Sequence, residues 1–123
     1  MEQIKYIPGD LVYIPKFGNN YTIISCGTYP YEARDENDND AIIEEDDIVP
    51  IPLTPEILDN NRWKHKDDVY WKHYPYFDLV IYTKERELYI TNIKDSIYLR
   101  EVKYVHQLQQ CLSGLNLDSN INI

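Results

Sequence analysis

Cations, glycine and cysteine are all scarce in this 123-residue chain, and each scarcity closes off a class of function. Twelve Lys and Arg face 21 Asp and Glu, for a formal net charge of −9, which disfavours a binder held by phosphate contacts. The four glycines are scattered, so a phosphate-cradling loop has no material to form from. Cys26 and Cys111 lie far apart without a CxxC or zinc spacing, and buried free thiols in a reducing compartment are the expectation. Nor does any run approach the ~20 apolar residues of a bilayer-spanning helix. The opening MEQIKYIPGD has no apolar stretch of the signal-peptide kind, so no membrane partner is expected.

Catalytic patterns are missing as well. There is no GxSxG, neither cysteine has local activating chemistry, and His65, His73 and His106 include no i, i+4 pair. A non-enzyme with no cofactor and no metal site is the reading that results.

The acidity is local. Residues 35–47 carry eight acids and no base, leaving thirteen acids against twelve bases elsewhere. Within that run DENDNDAIIEED, residues 35–46, invites comparison with a calcium loop, since Asp35, Asn37 and Asn39 fall at ligand positions 1, 3 and 5. Position 6, which needs glycine for its sharp turn, is Asp40, and position 12, which needs a bidentate Glu, is Asp46. Neither flank reads as a helix. A solvated turn between strands is expected.

Strand patterns dominate the rest. DLVYIPK (10–16), YTIISCGTY (21–29), AII (41–43) and DIVPI (47–51) read as four short strands with tight turns, which suggests a small SH3-like β lobe. Thr54 suits a helix N-cap, with Pro55 at the first helical position and the Asn60–Asn61 pair as a stop. Four segments follow, VYWKHY, FDLVIYT, ELYITNI and SIYLREV, and predict an antiparallel meander. In the first of them Val69, Trp71 and His73 share one face, while Tyr70, Lys72 and Tyr74 share the other. A helix over 103–113 puts Val105, Leu108 and Leu112 on an apolar arc, with His106, Gln107 and Gln110 opposite, and Gly114 marks its end. The fold class is therefore α+β: an SH3-like lobe over 1–53 with its acidic loop at 35–47, then a unit over 54–123. In that unit a short connecting helix leads to a meander covered by one C-terminal amphipathic helix.

Aromatic residues are in surplus, twelve of them tyrosine, and they concentrate in the meander. Sheet faces rich in tyrosine fill cores, bind proteins or stack on bases. With so little positive charge available, a protein partner is favoured over nucleic acid. His106, Gln107 and Gln110 on the helix, with Tyr70 and Tyr74 on the sheet, are the candidate interaction surface.

Two segments in order, IPLTPEIL (51–58) and YVHQLQ (104–109), carry a resemblance. The chain resembles a family of small proteins of phages, prophages and mobile elements of Bacteroides-type gut bacteria, over residues 46–117. The resemblance implies a context, the bacterial host cytoplasm or the virion, and no chemistry. On it rests the expectation of a phage or mobile-element protein-binding module whose partner is a host protein, a phage protein or a second copy. A virion or assembly component, and an inhibitor of a host defence protein acting through the acidic loop, are the alternatives.

Overall fold

A computed structural model describes residues 6–26 and 31–123, with the backbone alone at Cys26. The thiol of Cys26 and the end of the strand expected to reach residue 29 lie outside what is described. The chain is α+β and divides into two compact units, Met1–Pro52 with Tyr104–Asn120, and Leu53–Lys103 with Ile121–Ile123. No helix among the described residues is long and apolar enough to cross a membrane.

In the first unit β1 (Leu11–Ile14), β2 (Asn19–Cys26), β3 (Tyr31–Arg34), β4 (Asp40–Ile43) and β5 (Val49–Pro50) form an antiparallel sheet in the order β4-β3-β2-β1-β5. Period-2 alternation builds it: Val12 and Ile14 are buried on either side of exposed Tyr13, as are Tyr21 and Ile23 around Thr22. Gly18 closes the β1–β2 turn with φ +69, a conformation that favours glycine, and donates its N–H to the Ile14 carbonyl. Pro50 sits on the edge strand β5, where the missing N–H costs least. Strand β3, YEAR, was not foreseen, because Pro30 and the acidic run mask its alternation of buried Tyr31 and Ala33 with Glu32 and Arg34.

The acidic run itself has three parts. A tight turn over 35–39 joins β3 to β4, β4 follows, and a 3-10 turn, Glu45–Asp47, precedes β5.

The C-terminal helix α2 (Val105–Gly114) belongs to this first unit. That corrects the expectation that it covers the meander. Gln109 ties it to the β1 approach, accepting the Leu11 N–H at 2.7 Å and donating to the Gly9 carbonyl at 3.2 Å. Val105 also donates to the Ile51 carbonyl at 2.8 Å. Val105, Leu108 and Leu112 are buried along the apolar arc, but an apolar arc does not say which sheet it meets. Gly114 is the last helical residue rather than the stop, and Asn116 supplies the left-handed residue at φ 59.

The second unit opens on α1 (Pro55–Asn60), with Thr54 Oγ1 accepting the Ile57 N–H at 3.3 Å as N-cap and Asn61 as C-cap. A five-stranded antiparallel meander follows: β6 (Lys64–Lys66), β7 (Val69–His73), β8 (Asp78–Tyr82), β9 (Glu87–Thr91) and β10 (Ser96–Glu101), paired in chain order. The last four match the sequence reading. Strand β6 has no strand signature in the sequence, since KHK carries no apolar residue, and it forms as an edge strand paired to β7.

Candidate functional site

Register decides what each face of the meander presents. Tyr70, Ile81 and Leu88 align across β7, β8 and β9, and with Leu79 they are buried. This is the face that α1 covers, for Pro55 and Leu58 line a cleft together with Ile81 and Val102. His65 stacks on Tyr70 at 4.8 Å, and burial pushes the Tyr70 phenol up, with Asp59 and Glu56 adding to the shift.

The opposite face is open. Its middle row runs Lys64, Trp71, Val80, Tyr89, Tyr98 from β6 to β10, each directly opposite the next. The neighbouring row runs Lys66, Val69, Tyr82, Glu87, Glu101. Tyr82 meets Tyr89 edge to face at 5.3 Å, and Tyr89 meets Tyr98 in the same manner at 5.4 Å. Such pairs stabilise by roughly 0.5–1.5 kcal/mol beyond their buried area. Tyr82 remains 38% and Tyr98 49% exposed, so the rings hold each other in place while keeping an accessible edge. Burial raises the Tyr89 phenol pKa, and the adjacent Glu87 carboxylate raises it further.

One end of this sheet adds a cleft of about 630 Å³ between the β7–β8 and β9–β10 turns. Tyr74 and Phe77 stack at 5.4 Å along it, and Tyr76 and Ile93 stand almost wholly in solvent beside them.

The five residues singled out from sequence do not converge. His106 is 2% exposed, its ring between Tyr6 at 4.9 Å and Tyr104 at 5.9 Å, which corrects the expectation of a solvated histidine. Gln107 accepts the Tyr104 N–H at 3.1 Å as part of a capping box. Gln110 donates to the buried carboxylate of Asp10 at 2.8 Å, and Asp10 also accepts the Ile7 N–H. The apolar arc spans only part of α2, and beside it Gln107 caps the backbone, Gln110 holds the Asp10 carboxylate and His106 packs between two tyrosine rings. Tyr70 is buried on the α1 side, a second correction, while Tyr74 is half-buried in the cleft at the turns. Alternation separated Tyr70 from Trp71 correctly. Which of the two faces solvent depends on where α1 packs, and that is not local information.

In the acidic run, Asp35 Oδ1 accepts the N–H groups of Asn37 at 2.9 Å and Asn39 at 2.8 Å, which holds its carboxyl below the usual range. Arg34 and Asp40 pair at 2.7 Å across the β3–β4 ends, and Lys16 reaches Asp47 at 3.2 Å. The eight acids are thus divided among turn, strand and 3-10 turn, and several are already engaged.

Compared with protein-family models, curated proteins and solved structures, the chain matches none.

Proposed function

We propose that this chain is a non-enzymatic protein-binding module of a phage or mobile element, and that the open face of the meander is its binding surface. The observation that carries the reading is the ladder Trp71, Tyr89, Tyr98 with Tyr82, part-exposed and braced by its own edge-to-face contacts. Rigid aromatic side chains bury large area at low entropic cost, which is what interface anchors need. The cleft at the turns, with Tyr76 and Ile93 exposed, extends the surface at one end. Base stacking is the weaker use of this face, because Glu87 and Glu101 offset Lys64 and Lys66.

The first unit, on this reading, is an SH3-like lobe that serves as scaffold. Its strand order, the 3-10 turn before the last strand and the pairing of β5 with β1 support that assignment. The phage and mobile-element setting rests on the IPLTPEIL and YVHQLQ resemblance.

The test is affinity capture from host cells that also express an untagged copy of the chain. Wild type is compared with a Tyr82→Ser/Tyr98→Ser variant whose fold is checked by circular dichroism. Wild type is expected to retain a protein that the variant releases. Equal recovery by both, or recovery by neither, counts against the reading.

A further inference from the structure

Charge on the open face is ordered along the sheet. Lys64 and Lys66 stand on β6 at one edge, Glu87 and Glu101 stand on β9 and β10 at the other, and Val80 and Tyr82 lie between them on β8. Such a distribution is complementary to itself under one rotation and repulsive under another.

We infer that the face docks on a second copy of this chain, about a two-fold axis parallel to β8. The inference rests on the reading of this face as a protein-binding surface, and it names the occupant. Turning one sheet over about that axis lays β6 of each copy across β10 of the other and keeps every row at its own level. Lys66 then meets Glu101 of the second copy, and symmetry makes that contact twice. Trp71 comes to lie over Tyr89, Val80 over Val80 and Tyr82 over Tyr82, so the aromatic row packs on itself. A two-fold axis across the strands would instead set Lys66 against Lys64 and is disfavoured by the same charges. Asp78, which would face its own symmetry mate, lies 2.6 Å from His73 within its own sheet, and that pairing moderates the repulsion. Within the chain Glu101 has Lys103 at 3.6 Å, an exposed pair of little energetic weight that an intermolecular lysine can replace.

Size sets the strength. Five strands about 4.8 Å apart and three rows about 6.8 Å apart present roughly 400 Å² per copy. A standard stable interface buries about 800 Å² per partner. The dimer is therefore weak, with a Kd on the order of 10–500 μM.

Sedimentation equilibrium from about 10 μM to about 1 mM brackets that range. The proteins compared are wild type, Lys66→Glu, Glu101→Lys and the double reversal. All the changed side chains are exposed, so each variant is expected to fold. Wild type should dimerise with concentration. Each single reversal should raise Kd about tenfold or more, and the double reversal should return it to within about threefold of wild type. A wild type that stays monomeric throughout, or single reversals that leave association unchanged, overturns the inference. So does a monomer that holds single-stranded nucleic acid on this face. Capture of a different protein that is lost with Tyr82→Ser/Tyr98→Ser would in that event leave the binding-module reading standing, so the two failures are distinct.

Discussion

In the first unit Tyr6 and Tyr31 meet edge to face at 5.9 Å and are almost completely buried. In the second, Tyr82, Tyr89 and Tyr98 make the same kind of contact at slightly shorter distances, and Tyr82 and Tyr98 keep more than a third of their surface in solvent. Ring geometry alone therefore does not separate a core tyrosine from a surface one. The difference lies in the layer above. In the first unit α2 brings His106 against Tyr6, whereas in the second α1 covers only the face that holds Tyr70, Ile81 and Leu88. A sheet with thirteen apolar and aromatic positions in its strands and a six-residue helix has one face more than it can cover from within its own unit.

The sharpest way to break that comparison is to truncate one residue of each kind. Leu108, 1% exposed on α2, is expected to cost about 3 kcal/mol as Leu108→Ala, from lost burial and the cavity left behind. Tyr98→Ala on the open face should cost less than about 1 kcal/mol. Urea unfolding, read as midpoint shifts at constant slope, gives both values. Equal costs would mean that the aromatic ladder is core after all.

Gln109→Leu comes next. The side chain is buried and holds the Leu11 N–H, the Gly9 carbonyl and the Ser119 carbonyl. An apolar replacement leaves those groups without their partner, at a cost of about 2 kcal/mol. Gln107→Ala, which removes one capping contact, should cost about 1 kcal/mol or less in the same urea assay. If the order is reversed, α2 is held to its unit by its N-terminus rather than by the Gln109 clamp.

This clamp also marks the limit of what local pattern reveals. The N-cap Thr54, the four long strands of the meander and the apolar arc of α2 follow from spacing and residue type, because each is decided within a few residues. The partner of α2 is decided by Gln109 and Gln110 reaching Gly9, Asp10 and Leu11, about one hundred residues away in sequence. Polarity put His106 and Gln110 in solvent, while ring contacts bury His106 and a hydrogen bond to Asp10 leaves Gln110 half-buried. Strands β3 and β6 were missed for a related reason, since YEAR and KHK are strands only because a neighbour pairs with them. For the candidate site, the aromatic surplus and the alternation were both legible. The choice of Tyr70 over Trp71 as a contact was not, because covering by α1 is a tertiary fact.

Alkaline titration sharpens the buried half of the comparison. Burial, with Glu45 next in effect, pushes the Tyr6 phenol up to about 12. An acid whose folded pKa is raised favours the folded state while neutral, so that contribution is complete below pH ~10 and is lost as pH rises through about 12. Unfolding midpoints are expected to fall across that window in wild type. In Tyr6→Phe, which cannot ionise, the fall should be smaller. Identical profiles for the two proteins would show that Tyr6 is not what resists high pH.

The smallest effect lies in the turn that first drew attention as a calcium loop. Asp35 accepts from Asn37 and Asn39, and the folded state holds its carboxyl below the ordinary value. A lowered folded pKa contributes stability that is present above the unfolded value, near pH 4, and is lost as pH falls through the folded one. Because the group is exposed, the consequence should be local: the amides of Asn37 and Asn39 lose protection on acidification while those of Leu79 and Ile81 keep theirs. Asp35→Ala should produce the same loss at neutral pH, with the unfolding midpoint unchanged within error. Hydrogen exchange by NMR reads both sets of amides in one experiment. Calcium added at neutral pH should leave the Asn37 and Asn39 rates as they are, since the Asp35 oxygens already accept these N–H groups and position 6 has no glycine. Slower exchange with calcium would return the turn to the list of sites and weaken the case that the open aromatic face is where this chain makes its contacts.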